Sequence, residues 1–253
     1  MLNPWRECCS VAGSHAYMRD VLFDTHLDGG LASPSRAPEP PLLDADAREA
    51  VLGPGRGWLA VKRTMDVVIA IVGLVLLVPL GLLIALAIRR DSRGTVIFRQ
   101  TRVGRHGVAF RMFKFRTMVH DAEQGRPGLE ALNESAGLFK LRNDPRSTRI
   151  GRLLRRGSLD ELPQLLNVLR GEMSLVGPRP LVTEEDQLIE GPYRTRLQVN
   201  PGMTGPWQAL GPIRPSLREM VVIDCLYVEN WTMWTDVKIL FQTLAHVVRM
   251  RGI

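Results

Sequence analysis

The chain contains one uninterrupted apolar run, Val67 to Ile88, whose 22 residues include no charged, amide or hydroxyl side chain. A helix rises about 1.5 Å per residue, so a helix of this length would reach roughly 33 Å and match the hydrocarbon layer of a bilayer. Such a run constrains the fold more than any other feature of the sequence. It predicts a protein held in a membrane.

The path of this run through the membrane has two readings. Both flanks are basic, with Lys62 and Arg63 before the run and Arg89, Arg90 and Arg93 after it. A simple crossing is basic on its cytoplasmic side only. Pro79 also removes a backbone donor just past the midpoint. A re-entrant helical hairpin that breaks at Pro79 explains both features. A single spanning helix with a proline kink remains open, because membrane helices often accept proline.

Charge is distributed unevenly along the chain. Residues 1–57 hold five Arg and eight Asp or Glu, which gives them a net charge of −3. Since the whole chain has a net charge of +7, the other residues carry a net charge of +10. We predict that 1–57 is a disordered extension and that 58–253 is one membrane-anchored domain. Its basic surface favours anionic lipid headgroups and phosphorylated substrates, with nucleic acid as the rival partner. The three cysteines form no disulfide framework, which is typical of a reducing compartment.

Patterning after the apolar run predicts a mainly α fold with a small β-hairpin. Thr95–Gln100 and Val108–Phe115 alternate apolar and polar residues around a turn at 104–107. Helices are predicted at Thr117–Gln124, within 143–157 with Ile150, Leu153 and Leu154 on one face, at Leu162–Leu169, at Leu217–Tyr227 and at Trp231–Met250. The Gly- and Pro-rich stretches 176–180 and 199–206 are predicted to be loops.

The last helix carries an aromatic side formed by Trp234, Val237, Phe241, Leu244 and Val248. This amphipathic helix could lie in the membrane interface with that side down. The alternative is an ordinary amphipathic helix packed on a protein core.

The densest candidate for chemistry is the segment Ser158-Leu-Asp-Glu-Leu-Pro163. Adjacent residues of a helix point about 100° apart, so Asp160 and Glu161 cannot act on one atom in the same way. One could attack a substrate while the other holds a metal. Ser158 and Glu161 also have the spacing of a capping box, which would make the pair helix punctuation. Pro163 complicates that reading, because its missing N–H suits the first position of a helix. With either start, the acidic pair lies at or beside a helix N-terminus, which attracts phosphate.

Several basic residues could surround a phosphate near this pair. Lys114 and Arg116 project from one face of the second hairpin strand, although a solvated face gives the same pattern. Arg179 stands between two prolines and can offer a bidentate fork to an anion. Arg155 lies just before the acidic pair. None of the familiar metalloprotease, zinc, Walker or dinucleotide-binding patterns occurs in the sequence.

Taken together, seven segments resemble the bacterial sugar transferase family, the monotopic polyprenyl-phosphate phosphoglycosyl transferases. They are Lys62-Arg-Thr-Met-Asp66, Phe98-Arg-Gln-Thr-Arg-Val-Gly104, Phe113-Lys-Phe-Arg-Thr-Met118, Ser158-Leu-Asp-Glu-Leu-Pro-Gln164, Met173-Ser-Leu-Val-Gly-Pro-Arg-Pro180, Pro201-Gly-Met-Thr-Gly205 and Tyr227-Val-Glu-Asn-Trp231. The resemblance runs in order from about Val61 to Arg249 and is specific. It implies a re-entrant hairpin at 67–88 in the cytoplasmic leaflet of a bacterial inner membrane.

The resemblance also implies a reaction. Asp160 would attack the β-phosphate of a UDP-sugar, release UMP and hold the sugar phosphate until polyprenyl phosphate takes it. Asp160 and Glu161 would lie beside Mg²⁺, with Lys114, Arg116, Arg155 and Arg179 around the phosphates. The implied partners are UDP-sugar, undecaprenyl or another polyprenyl phosphate, membrane lipid and downstream membrane glycosyltransferases, with no nucleic acid. A homo-oligomer is left open.

Two departures from the family pattern affect these expectations. Members usually carry Ser before the hairpin proline, whereas this chain has Val78, so the break depends on Pro79 alone. The family's Gly-Arg pair after Trp207-Gln-Ala is displaced here to Gly211-Pro-Ile-Arg214, which would alter a sugar or nucleotide contact. The alternative function is a non-enzymatic, membrane-tethered basic adaptor, which would not depend on Asp160.

Overall fold

The computed structural model describes residues 56–122, 141, 144–209 and 216–248. Its helices are α1 (Arg56–Asp91), α2 (Arg149–Arg156), α3 (Gln164–Arg170), α4 (Thr183–Asp186), α5 (Pro206–Ala209), α6 (Leu217–Glu229) and α7 (Met233–Val248). Its strands are β1 (Ile97–Val103), β2 (Ala109–Phe115), β3 (Ser174–Val176) and β4 (Gly202–Thr204). The predicted class, mainly α with a small hairpin, is confirmed. The predicted disordered extension (except for 56 and 57), the displaced segment 211–214 and the end of the last predicted helix lie outside the described residues.

The apolar run forms the central part of α1, one helix of 36 residues that continues through Pro79. It is long and apolar enough to cross a membrane, and only 11% of its most apolar window is buried by the protein. The core helix of a soluble domain would be mostly covered by other parts of the protein. The exposed apolar side chains of α1 therefore need an apolar environment. The helical state of the run is confirmed, while its re-entrant path remains a prediction.

Both ends of α1 are tied to the same protein body. At the N-terminal end, Lys62 pairs with Asp236 and Arg63 donates to the carbonyl oxygens of Val168 and Leu169, at 2.5 and 2.9 Å. At the C-terminal end, the Asp91 carboxylate accepts a hydrogen bond from a backbone N–H of α2 at 3.1 Å. The helix therefore lies along the body over most of its length.

The predicted hairpin is confirmed. β1 and β2 pair antiparallel from Ile97 opposite Phe115 to Val103 opposite Ala109, and β1 extends three residues beyond the predicted end. The side chain of Asn167 covers the outer edge of β2, since it accepts from Phe113 N at 3.0 Å and donates to the Arg111 carbonyl at 2.7 Å. This contact fixes α3 against the hairpin.

The helix predicted at Thr117–Gln124 is wrong over its described part. Residue 118 forms an isolated bridge with Ser147, and a turn follows at 120–122. The Thr117 carbonyl accepts from Thr148 N at 3.0 Å and Val119 N donates to the Arg146 carbonyl at 2.9 Å. Because these backbone groups bind a distant segment, they are unavailable to a helix.

The loop predicted at 199–206 contains a strand. β3 and β4 form a short parallel pair, with Ser174 opposite Gly202 and Val176 opposite Thr204. A Cβ atom at Gly202 would lie 2.1 Å from the backbone nitrogen of Gly177. Glycine is therefore required at position 202 for the two backbone segments to approach this closely.

The helices α2, α3, α6 and α7 lie within or close to predicted ranges, whereas the predictions include neither α4 nor α5. α3 ends at Arg170 and is capped by Gly171, which has a left-handed φ of 81°. In α2, Leu154 is 3% exposed but Leu153 is 54% exposed, so the predicted apolar face of this helix is only partly buried. In α7, Trp234 and Phe241 point outward, as a helix at a membrane interface requires.

Candidate active site

The acidic pair lies in a tight connection between α2 and α3. Ser158 adopts a left-handed conformation with φ 51° and ψ 21°, and a 3₁₀ turn follows at Leu159–Glu161. Pro163 stands immediately before α3. The Ser158 side chain makes no capping hydrogen bond, so the capping-box reading is wrong. A non-glycine residue in this conformation is strained, and such strain is common at functional sites.

Asp160 is buried, with 8% of its surface exposed. Burial raises the pKa of its carboxyl group above the ordinary value, and the charge of Glu161 raises it further. Lys114 and Arg155 act in the opposite direction and favour the carboxylate. The ionised state of Asp160 therefore depends on the cations around it.

Glu161 is shifted the other way. Burial alone would raise its pKa, but Lys114, Arg179 and Arg102 outweigh burial and lower it. Lys114 Nζ lies 2.6 Å from Glu161 Oε1. Two adjacent carboxylates with opposite pKa shifts are suited to different roles in one reaction.

The predicted cations differ in their hydrogen-bond partners. Lys114 contacts Glu161 directly, and the Arg155 guanidinium donates to Thr117 Oγ1 at 3.0 Å and to Ser147 Oγ at 3.3 Å. The Arg116 guanidinium is turned toward the chain after α1, where it donates to the Ser92 carbonyl at 2.8 Å and to the next carbonyl. Its contact with a phosphate remains a prediction.

Arg179 belongs to a loop whose backbone is bound from many parts of the chain. The bonds are Lys62 Nζ to Val176 O at 2.9 Å, Gly177 N to Thr204 O at 3.0 Å, Gly202 N to Pro178 O at 2.9 Å, Arg196 to Arg179 O, Arg102 to Pro180 O at 3.1 Å, and Val103 N to Leu181 O at 2.9 Å. The Arg179 guanidinium lies 5.3 Å from the centre of the Trp207 ring. This loop therefore presents Arg179 on a fixed backbone.

Arg196 anchors that loop from within the core. Its side chain is 1% exposed and donates to Asp224 Oδ2 at 3.0 and 3.2 Å. Burial raises the pKa of Asp224 to about 6, although Arg196 opposes the shift.

Sequence reasoning missed Arg102. Its charge helps to lower the pKa of Glu161, and its guanidinium holds the loop of Arg179 through Pro180. The signal was present, because Gln100 and Arg102 in β1 have the same strand parity as Lys114 in the paired strand β2. Side chains of equal parity share one face of a hairpin.

The acidic pair also adjoins the apolar helix. Leu159 and Leu162, on either side of the pair, pack in a cluster with Ile84 and Ile88 of α1 and with Phe115 of β2. The carboxylates are therefore one residue away from side chains that pack against this cluster.

The donor set fits a magnesium ion that is shared with a substrate. Within the described ranges, no group of three or more acidic, His or Cys side chains could form a metal cage. Mg²⁺ is commonly held by one or two carboxylates together with waters and substrate phosphates. Asp160 and Glu161 provide two such carboxylates.

Comparison with known proteins identifies one family. A family model described as Bacterial sugar transferase matches residues 58–250. Undecaprenyl-phosphate galactose phosphotransferase of Salmonella typhimurium is 44% identical over 196 residues, which cover 76% of this chain and 41% of that protein. UDP-glucose:undecaprenyl-phosphate glucose-1-phosphate transferase of Caulobacter vibrioides is 44% identical over 192 residues, 72% of this chain and 68% of that protein.

A shorter relative matches over most of its own length. The exopolysaccharide production protein ExoY of Rhizobium meliloti is 42% identical over 196 residues, 76% of this chain and 87% of that protein. Several other relatives are much longer, and the chain spans about two fifths of their length.

Proposed function

The chain belongs to the bacterial sugar transferase family, and we propose that it transfers a sugar-1-phosphate from a UDP-sugar to undecaprenyl phosphate or a similar polyprenyl phosphate. The observation that carries this proposal is the buried Asp160, which lies near Lys114 and Arg155. Asp160 is also one residue away from Leu159, which packs in a cluster with Ile84 and Ile88 of α1. The printed names of the Salmonella and Caulobacter relatives support the same reaction class. Such a step would begin membrane assembly of an exopolysaccharide, capsule or O-antigen-type glycan.

In the proposed reaction the ionised Asp160 attacks the β-phosphorus of the UDP-sugar. A bond forms between the carboxylate oxygen and this phosphorus, and the bond to the bridging oxygen breaks, so that UMP leaves with the electron pair. An oxygen of polyprenyl phosphate then attacks the same phosphorus and releases the Asp160 carboxylate. Covalent catalysis of this type divides one difficult transfer into two easier steps.

The neighbouring charges make this attack feasible. A carboxylate that approaches a diphosphate is repelled by about 4 kcal/mol per charge pair at 4 Å when the effective dielectric constant is near 20. Lys114, Arg155 and Arg179 offset that repulsion, and Glu161 and Asp160 would hold Mg²⁺, which supplies further positive charge at the phosphates when bound. Glu161 is suited to metal binding because its lowered pKa keeps it ionised.

We propose that α1 enters and leaves the membrane by its cytoplasmic face. Lys62 at one end and Asp91 at the other both contact the same protein body, which a straight crossing would place on opposite sides of the bilayer. The outward Trp234 and Phe241 of α7 support an interfacial position for that helix. In this arrangement the site faces the cytoplasm of the bacterial cell beside the lipid substrate, where downstream membrane glycosyltransferases could take the product. A homo-oligomer remains compatible with it.

Replacing the nucleophile tests the reaction. The variant Asp160→Asn should show no UMP release when it is supplied with UDP-sugars, Mg²⁺ and polyprenyl phosphate, because an amide cannot form the ester. Glu184→Gln, which removes an exposed carboxylate from α4, should turn over like the native protein. Mass spectrometry of native protein with UDP-sugar alone should detect the added sugar phosphate. Normal turnover by Asp160→Asn would refute the proposed nucleophile.

Cysteine labelling tests the membrane path. In a background without native cysteines, Gly57→Cys and Arg93→Cys place exposed thiols at the two ends of α1. A membrane-impermeant maleimide added to intact cells should leave both thiols unlabelled, and both should react after lysis. If one thiol reacts in intact cells, α1 spans the bilayer.

A further inference from the structure

The hairpin has a second functional face. Because side chains alternate along a strand, Gln100 and Arg102 share the face of Lys114, which contacts Glu161, while Arg99 and Arg111 belong to the opposite face. Nothing in the proposed reaction uses these two arginines.

A groove with a volume of about 560 Å³ lies on this face. Arg99 from β1, Arg111 from β2 and Arg170 from the end of α3 line it, together with Phe113. The guanidinium carbons of Arg170 and Arg99 lie 4.8 and 5.9 Å from the centre of the Phe113 ring. Three elements of the fold therefore bring their arginines to one place.

These positive charges are poorly compensated within the described part of the chain. The hydrogen bonds and ion pairs found among described residues include no side-chain bond from Arg99, Arg111 or Arg170. Glu172 is the acidic residue that lines the groove, and its carboxylate accepts from Asn167 Nδ2 at 2.7 Å. Like charges that share a groove repel one another, so a bound anion would stabilise the arrangement.

We propose that this arginine groove, defined by Arg99, Arg111, Arg170 and Phe113, binds the phosphate group of a ligand distinct from the sugar-nucleotide in the active site. Guanidinium groups match phosphate oxygens with paired hydrogen bonds, and the volume is in the range of small-molecule sites. Phe113 is buried beneath the arginines, so the groove lacks the exposed aromatic platform that stacks nucleic-acid bases.

The position of the groove indicates where such a phosphate could come from. Arg170 is followed by Gly171, whose Cβ position would lie 3.7 Å from a guanidinium nitrogen of Arg63. Arg63 precedes the apolar run of α1, so the groove lies near the N-terminal end of that run. The headgroup of an anionic phospholipid and a soluble phosphate compound share the required chemistry.

Residue-resolved arginine modification tests the site in the full-length native protein. Protein in phosphatidylcholine nanodiscs is treated with phenylglyoxal, and the modification rate of each arginine is measured by peptide mass spectrometry. The same protein is then treated in nanodiscs that contain phosphatidylglycerol, and in phosphatidylcholine nanodiscs with added pyrophosphate. Arg105, Arg194 and Arg218 are exposed arginines outside the groove and serve as internal controls.

We expect Arg99, Arg111 and Arg170 to be modified about tenfold more slowly in one of the two anionic conditions, since a charge-assisted hydrogen bond shifts an equilibrium by about that factor. Slowing by phosphatidylglycerol alone identifies a lipid headgroup, and slowing by pyrophosphate identifies a soluble phosphate. Unchanged rates in both conditions, or equal slowing of the control arginines, would overturn the proposal.

A variant provides a second measurement. Replacing the three groove arginines by Gln should abolish retention of phosphatidylglycerol or pyrophosphate by the purified protein, whichever ligand slows the labelling. The charge-matched replacement of Arg105, Arg194 and Arg218 by Gln should preserve it. Equal retention by the two triple variants would contradict the site. Both measurements record binding without turnover, so their outcome is independent of the proposed reaction.

Discussion

Two lysine–carboxylate pairs connect distant parts of this protein, and they differ in enclosure. Lys62 pairs with Asp236, and their side chains are 10% and 0% exposed. Asp236 also accepts from the Tyr227 hydroxyl at 2.6 Å. Lys114 pairs with Glu161, and their side chains are 22% and 27% exposed. The first pair is enclosed with further partners, whereas the second is open beside Asp160.

The difference in enclosure indicates a difference in role. Removing one partner of an enclosed pair leaves an uncompensated buried charge, so such a pair holds the fold in place. An open pair gains less from its own contact, and water or a substrate can replace one partner. We therefore expect Lys62 to maintain the architecture around β3, and Lys114 to act on phosphate in the proposed reaction.

The largest effect is expected at the enclosed pair. Lys62→Met should lower the free energy of unfolding by about 3–5 kcal/mol, because it leaves the Asp236 carboxylate buried without its cation. Thermal unfolding in nanodiscs measures this loss. The matched control is Lys238→Met, in the same helix as Asp236, and it should change stability much less. Lys238 Nζ lies 5.7 Å from the centre of the Trp234 ring. A loss equal to that of the control would mean that enclosure does not distinguish the pairs.

The open pair should respond in turnover. Lys114→Met should reduce kcat/KM by about 10²–10³, since a lost electrostatic donor at a reacting group costs about this factor. Its free energy of unfolding should change by less than about 1 kcal/mol. Steady-state UMP release and thermal unfolding, measured on one preparation, separate the two effects. If the variant loses stability but keeps a normal kcat/KM, Lys114 has a structural role and not a role in the reaction.

A smaller effect is expected in the pH dependence. The pKa of Asp160 is raised, so the proposed transfer activity should fall as the pH falls through that raised value and the carboxylate becomes protonated. Lys114 lowers this pKa, and its removal should therefore move the acid limb to higher pH. Residual kcat/KM of Lys114→Met, followed across the acid range, measures the shift. An unmoved limb would show that Lys114 does not control the ionisation of Asp160.

The sequence predicted the features that depend on neighbouring residues. Alternation of apolar and polar residues located the hairpin, and an unbroken apolar run located the helical core of α1. Asp160 and Glu161 were found through a contiguous segment. Each of these signals is contained within a few residues or a few turns.

Features that depend on distant partners were not predicted. Thr117 belongs to a segment with helical patterning, yet its carbonyl accepts a hydrogen bond from Thr148 N. No pattern among neighbouring residues predicts this long-range contact. The glycines around β4 predict a loop, although Gly202 is needed for close packing on Gly177. The opposite pKa shifts of Asp160 and Glu161 likewise arise from three-dimensional burial and charge.

The loop of Arg179 begins at Val176, whose carbonyl accepts from Lys62 near one end of the chain's described part. Lys62 in turn needs Asp236, in the helix that is synthesised last among those described. The apolar helix α1 is therefore synthesised long before the ammonium group of Lys62 can meet its partner. Helix α7 must be synthesised before the backbone that carries Arg179 acquires all of its hydrogen bonds, which places completion of this loop late in biosynthesis.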